Sequence, residues 1–359
     1  MAFGRKKTPV DLASADGSEN AIANKEIEGL SQRQIVFRRF LRHRAAMISV
    51  FVLVSLVLIV FSAVNFDLGP IAIHGWWKYG ITDTPPLKMQ GCPGFSVGCP
   101  TLHLNPFAKH FGLGDHPFGQ DDVGHDYFAL VMRGAQRSML VSFIIGVLAG
   151  TIGVVVGSIA GFYRGKIDAI LMRFVDFLIT IPSIIIGSVI GYHFGNLGAT
   201  FLAFYLGLFA WTGLSRLVRG EFLTLRERDF VDAARVAGAS NRRIIFKHIL
   251  PNAVGVIIVS VTLLMAGAIL LETALSYLGF GVTAPDVSLG LLISRYQDAF
   301  TTRPWLFWYP GFFIVSIALS INFIGDGLRD AFDPRQRRRI SKKDRERASE
   351  IKRERESLS

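Results

Sequence analysis

The chain has 359 residues, half of them apolar, and carries a formal net charge of +11. That much apolar content excludes an ordinary soluble domain of this size, and the basic residues sit in tails and loops between long apolar runs, which excludes a nucleic-acid-binding reading of the charge. Only two cysteines occur, Cys92 and Cys99, so neither a multi-disulfide framework nor a zinc cluster holds the fold.

Residues 1–30 are polar, mixed in charge and poor in large apolar groups, and are expected to be disordered. No cleavable signal peptide is expected, because the first apolar run begins only at Ala45 and is of full span length. Between them, Ser31–Arg44 alternates Ile35, Phe37, Phe40 and Leu41 with Arg38, Arg39, Arg42 and Arg44. Ser31 and Gln34 are spaced for a capping box. This pattern predicts an amphipathic helix on the inner membrane surface, its basic side towards anionic lipid headgroups.

A helix needs about 20 apolar residues to cross a bilayer. Six runs qualify: Ala45–Val64, Met139–Phe162, Ile167–Ile190, Leu197–Leu217, Ala253–Leu271 and Trp305–Ile324. The third holds Arg173, Asp176 and Pro182; its two charges are three residues apart, on one helix face, and are expected to pair near one end of the span. The expectation is an all-α membrane protein with six transmembrane helices. Six spans put both tails on one side, and the two sides then hold 31 and 7 basic residues, with Arg173 inside a span. The richer side is cytoplasmic, so both termini are predicted to be inside. These boundaries give a cytoplasmic tail with its amphipathic helix (1–44), a first span (45–64), an external segment (65–138), a five-helix core (139–325) and a charged cytoplasmic tail (326–359).

The external segment is rich in Pro, Gly and His. On the oxidising side a small Cys92–Cys99 disulfide loop is favoured over two free thiols. His74, His103, His110, His116 and His125 are too scattered for a metal-ligand pattern and are read as surface residues. In the second span, Gly146, Gly150, Gly153, Gly157 and Gly161 recur at gaps of 4, 3, 4 and 4, one helical stripe that lets another helix approach closely. The spacing leaves open whether that helix belongs to this chain.

The cytoplasmic loop 218–252 is unusually long for a compact helical protein. Asp229 or Asp232 begins a short helix through Ala233, Ala234 and Val236. Gly238 supplies a C-terminal turn, Ser240 or Asn241 caps a second helix through Ile244, Ile245 and Ile249, and Pro251 closes it at the membrane. The product is a helix–turn–helix elbow.

This loop resembles the coupling loop of ABC importer permeases, which has the form E-A-A, three residues, G, nine residues, I, one residue, L-P. Asp232, Ala233, Ala234, Gly238, Leu250 and Pro251 fall at those spacings, with Asp232 where Glu is usual and His248 where Ile is usual. Lys247–Asn252 is similar to the peptide branch of that family. So are His116–Asp126, which resembles H-P-L-G-T-D-x-x-G-R-D with Gln120 and His125 as departures, Glu272–Gly281, and Gly325–Asp330 followed by Asp333–Arg335. Leu289–Gly290 stands where Trp-Gly is common. The long segment after the first span resembles the C-type subunit of the oligopeptide and dipeptide permease pair. The likeness runs from about residue 31 to 339. It implies the type I ABC importer permease fold and half of a translocation path completed by a second, homologous permease subunit. It also implies two cytoplasmic ATPases that bind ATP and Mg, an external substrate-binding protein, and a prokaryotic cell membrane location. Docking of the Asp232–Gly238 elbow in a groove on an ATPase is the implied coupling device. Peptides are the favoured substrate, with nickel chelates and other small solutes as alternatives; no substrate-contact residue is assignable.

Other classes fit less well. Gly165–Lys166 is the only nearby fragment of a phosphate loop, and residue 160 is Ala while Ile167 replaces Ser or Thr. A membrane enzyme needs converging acid, base or metal residues, for which Arg173, Asp176 and Glu272 are the only candidates. A secondary transporter predicts inverted repeats and midplane ionisable groups. No catalytic residue, metal site or cofactor is expected in this chain.

Overall fold

The computed structural model describes residues 32–68, 71–87, 97–102 and 112–332. Residues 1–30, Ser31 with its capping box, Cys92, His103, His110 and the charged tail from Asp333 lie outside them. The described chain is mostly helical: α1 (Gln32–Arg42), α2 (Arg44–Ala63), α3 (Tyr127–Tyr163), α4 (Gly165–Ile179), α5 (Ser183–Phe194), α6 (Ala199–Gly207), α7 (Thr212–Arg226), α8 (Asp229–Val236), α9 (Asn241–Tyr277), α10 (Leu289–Tyr296) and α11 (Trp305–Phe332). A two-stranded antiparallel hairpin, β1 (Phe66–Leu68) and β2 (Ile71–Ile73), pairs Phe66 with Ile73 after α2.

Among the described residues, α2, α3, α9 and α11 are each long and apolar enough to cross a membrane. Two further pairs qualify only as bent units: α4 with the helical stretch from Ser183 to Leu197, at 75°, and α6 with α7, at 41°. The first break falls at Thr180–Pro182, because Pro182 offers no amide to the preceding turn and disfavours helical backbone at Ile181. The expected continuous span Ile167–Ile190 is therefore two helices. Its charges do not pair with each other: Asp176 is held by Arg216 of α7, and Arg173 is exposed. A partner on a neighbouring helix displaces the local i,i+3 option.

The chain divides into two units. One comprises residues 1–44 and 330–359, in which His43 Nε2 lies 3.3 Å from Asp330 Oδ2. The other, Ala45–Arg329, is built around α3, which packs most extensively on α7, then on α9 and α6. α3 begins well before its apolar run. Asp126 caps it, its carboxylate accepting from Ala129 N at 2.8 Å, and Tyr127–Ala135 is almost wholly buried rather than external loop. The chain reverses at Arg164 and Gly165, both with positive φ, into α4.

The five stripe glycines are all buried, and their neighbours belong to this chain. A Cβ at Gly146 would run into Met265 and one at Gly150 into Val261, both on α9. At Gly153 it would meet Leu214, at Gly157 the Ser215 carbonyl oxygen at 2.5 Å, and at Gly161 the Arg219 carbonyl oxygen at 2.7 Å, all on α7. Backbone-to-backbone approach of this kind brings many dispersion contacts into range and is available only without a side chain.

Candidate functional site

The elbow after α7 is built from short-range rules. α8 starts at Asp229, with Asp229 and Asp232 in its first turn and Arg235 in its last, each charge matched to the helix dipole. Arg235 Nη1 donates to Asp232 Oδ1 at 2.9 Å. The helix ends in a Schellman turn: the Gly238 amide donates to Arg235 O at 2.9 Å and the Ala239 amide to Ala234 O at 3.0 Å. Gly238 sits at φ +76, and nothing lies within 4 Å of where its Cβ would be. Its smallness thus answers to backbone conformation, not to any contact within this chain. Ser240 then caps the next helix, its Oγ accepting from Arg243 N at 3.4 Å.

That helix does not close at Pro251. Ile244–Ile249 forms a π-helical turn that continues into Leu250–Tyr277, with Pro251 inside the first turn of the α-helical part. Pro251 explains the widened turn, since it gives no amide to the carbonyl of Lys247 and its ring crowds that group. The expected loop 218–252 is correspondingly shorter, because α7 runs to Arg226 and α9 starts at Asn241.

Two faces separate. Val231 and Ala234 of α8, with Ile244, Ile245 and Ile249, pack into a cluster with Phe162, Leu214, Val218 and Phe222. Leu250 lies against the same cluster. Asp232, Ala233, Gly238 and Pro251 are exposed. The six motif residues therefore do two jobs: Ala234 and Leu250 hold the elbow, and the other four face outward. The outward face includes apolar groups the motif does not name, Val236 at 91 % exposure and Phe230 at 38 %. Their signal in the sequence is that they fall out of phase with Val231 and Ala234. The base of the elbow is braced by a bidentate Arg219–Asp168 pair, at 2.5 and 2.6 Å, and by Arg164–Glu227 at 2.7 Å.

A second site precedes α3. Asp126 Oδ2 lies 2.7 Å from His116 Nδ1, and its Oδ1 accepts from Trp77 Nε1 at 2.9 Å. A carboxylate only accepts, so His116 Nδ1 carries the proton. His116 is buried and stacked on Tyr79, not a surface residue as its isolated position implied. Asp121 Oδ1 accepts from the amides of Val123, Gly124 and His125, and its Oδ2 lies 2.7 Å from His125 Nδ1 and 2.9 Å from Tyr296 Oη. Burial pushes the Asp121 carboxyl up, but these bonds from His125 and Tyr296 outweigh it and hold the group below its ordinary value. Burial, reinforced by Asp121, pushes Tyr296 up. The two departures in this motif both have partners: His125 holds Asp121, and Gln120 Nε2 donates to Pro85 O, Pro86 O and Gly124 O. Nearby Cys99 is buried and disulfide-bonded, and Cys92 is the only other cysteine in the sequence. Between α3, α9 and α10, buried Glu272 accepts from Ser138 Oγ at 2.9 Å and Ser276 Oγ at 2.7 Å. Among the described residues no group of three or more His, Cys, Asp or Glu is arranged for a metal ion.

Residues 153–338 match the family described as the binding-protein-dependent transport system inner membrane component, and residues 31–70 match the N-terminal TM domain of oligopeptide transport permease C. The chain is 39 % identical over 311 residues to the oligopeptide transport system permease protein OppC of Mycobacterium tuberculosis, covering 86 % of this chain and 97 % of that one. It is 34 % identical over 335 residues to the OppC of Haemophilus influenzae, covering 92 % and 98 %. A solved structure of the MetNI methionine ABC transporter in an inward facing conformation is similar at 20 % identity and a TM-score of 0.48, over 57 % of this chain and 96 % of that one.

Proposed function

The chain belongs to the family of binding-protein-dependent transport system inner membrane components, and on that premise we propose that it is the C-type transmembrane subunit of an ATP-driven peptide importer. It is a multi-pass membrane protein of the prokaryotic inner membrane in this reading. It forms half of a translocation path with a homologous permease subunit, takes substrate from an external binding protein, and is driven by two cytoplasmic ATPases that hold ATP and Mg. The oligopeptide permease relatives support a peptide substrate. Counting each bent helix pair as one span gives six, and 31 basic residues against 7 supports both termini inside.

The elbow carries the reading. Its inward face is anchored to α3, α7 and α9, while Asp232, Ala233, Val236 and Gly238 are uncovered. A helix held on one side and bare on the other is suited to seat in a partner's groove and to transmit that partner's movement to the spans behind it. Dimerisation of the ATPases on ATP supplies the movement, and the pore alternates between outward-facing and inward-facing states. The chain itself contributes no catalytic residue; the chemistry lies in the ATPases.

The test is uptake in host cells lacking this chain. Restoring the native chain returns ATP-dependent accumulation of a labelled oligopeptide, whereas a chain with residues 229–240 replaced by a Gly/Ser linker does not. Nickel accumulation in the same cells, without peptide accumulation, replaces the substrate; uptake by the chain alone without ATP overturns the importer reading.

A further inference from the structure

The two bent spans break beside each other. α4 runs 15 residues from the elbow end of the protein to Ile179, and α7 runs 15 residues back from Thr212 to Arg226. Each break therefore stands about 22 Å from that end, within the thickness of a bilayer core of about 30 Å. The Arg219–Asp168 and Arg216–Asp176 pairs hold α4 and α7 in that register. Between the breaks lies a cavity of about 260 Å³, lined by Ile181, Pro182 and Ser183 from the first and by Phe209, Ala210 and Thr212 from the second. That is room for about eight waters.

The breaks leave main-chain groups open. One carbonyl at each is taken by a side chain: Thr180 Oγ1 donates to Phe177 O at 2.7 Å, and Trp211 Nε1 donates to Leu208 O at 2.8 Å. Among the described residues, no hydrogen bond reaches the carbonyls of Ile179, Thr180 and Ile181, or those of Gly207, Phe209 and Ala210. Ile179, Ile181, Phe209 and Ala210 all line the cavity. Lipid tails offer such carbonyls no donor, so open backbone at this depth belongs beside water or a hydrogen-bonding solute. The side chains around them are mostly apolar, and none of the lining residues is charged. Carbonyls without charged neighbours do not select a side chain. They suit a solute with regularly spaced N–H donors and variable side groups, which is the chemistry of a peptide main chain.

We propose that the cavity between the two breaks is where the passing solute touches this chain, its open carbonyls accepting from the amides of a peptide main chain. Only the identity of the solute rests on the peptide-importer reading. Pro182 and the Trp211 indole are positioning groups in this arrangement. The first ends α4 at the cavity, and the second occupies a carbonyl that a continuous helix would give to the Thr212 amide.

The whole transporter, assembled with its partners in proteoliposomes, tests this through Ser183→Cys and Thr212→Cys, made singly. Co-purification with the partner subunits shows that each variant assembles. A charged methanethiosulfonate reagent is expected to modify both thiols roughly 100-fold faster than that of Leu319→Cys, on the exposed face of α11, because a thiol in apolar surroundings ionises far less. An oligopeptide supplied with binding protein and ATP slows both reactions. The same peptide N-methylated at one amide needs about fivefold more for equal protection. Reaction no faster than that of Leu319→Cys overturns the proposal. Peptide uptake that leaves both reactions unslowed also overturns it, while the importer reading stands. Equal protection by the N-methylated peptide removes the carbonyl contact. Protection by another transported solute, with no uptake of peptide, keeps the cavity as the contact and overturns the peptide reading.

Discussion

The clamp before α3 and the elbow after α7 are both short, polar segments between apolar helices, yet they are built in opposite ways. In the clamp, every oxygen of two buried aspartates is spoken for: Asp121 by three amides, His125 and Tyr296, Asp126 by Ala129, Trp77 and His116. Three of these bonds, from Tyr296, Trp77 and His116, cross between segments and tie the local turn of Asp121 and cap of Asp126 to the rest of the fold, and rings of Trp77, Phe118 and Phe128 pack beside them. In the elbow, the polar bonds are local, running from Gly238 to Arg235 or Asp232 to Arg235, and half the surface is bare. A buried network fully satisfied in this way fixes one geometry. A locally stabilised helix with one bare face keeps its shape while leaving a surface for something else. The comparison says that damage to the clamp registers as lost stability, and damage to the elbow as lost coupling.

The sharpest way to break the comparison is Gly238→Val. A β-branched residue at φ +76 costs about 1–2 kcal/mol, too little to remove the chain from the membrane. Transport is expected to fall to background while the amount of chain in the membrane fraction stays normal. Gly238→Asn, which tolerates the left-handed region, is expected to retain most uptake. Equal uptake by the Val variant and the native chain breaks the coupling side of the contrast.

For the clamp, Asp126→Ala strips acceptors from the Trp77 indole, the His116 ring and the Ala129 amide. The loss is about 3 kcal/mol, read as a lower thermal midpoint of the purified chain. A midpoint within error of the native one means that the network is ornamental. Gly157→Ala drives a methyl to the Ser215 carbonyl and is expected to cost about 1–3 kcal/mol. Gly213→Ala, in α7 but with open space around it, is expected to gain up to about 1 kcal/mol, and the pair measured together separates packing from helix propensity.

The smallest effect is a pH dependence. Asp121 is held below its ordinary value of 3.8, so it contributes stability that is fully present above that value and is lost as pH falls towards its lower folded pKa. The thermal-midpoint difference between the native chain and Asp121→Asn should be constant near neutrality and shrink only below pH 3.8. Shrinkage beginning near neutrality would break the assignment of the effect to Asp121.

Much of this was legible from residue order. The long apolar runs placed α2, α3, α9 and α11, and the caps and Gly238 laid out the elbow, since capping is local; its covered face was not read, because Val231 packs inward while Ala233 and Val236 are exposed. What was not legible depended on residues far apart. His116 reads as an isolated surface histidine until Asp126, Tyr79 and Trp77 close around it. Asp176 has an obvious neighbour in Arg173, but α7 brings Arg216 closer in space. The N-terminal turns of α3 look like loop because Arg133–Ser138, with two arginines and a glutamine, separates Tyr127–Met132 from the long apolar run, and only the packing of Trp305 and Leu306 near them shows why they are buried. Pro182 and Pro251 carry the same local signal and have different outcomes: one breaks a span, and the other is absorbed by a π turn.

The stripe on α3 has a consequence for the history of the gene as much as for the fold. Every single-base change of a glycine codon that still encodes an amino acid other than glycine adds at least one carbon. At Gly157 and Gly161 that carbon lands against a main-chain carbonyl of α7, which cannot rotate out of the way as a side chain can. Compensation by repacking a neighbour is therefore closed at these positions. It stays open at Gly150, where the obstacle is the side chain of Val261 and a smaller residue there makes room. One face of one helix thus contains positions where a change must displace a neighbouring backbone and positions where it needs only a second, smaller side chain.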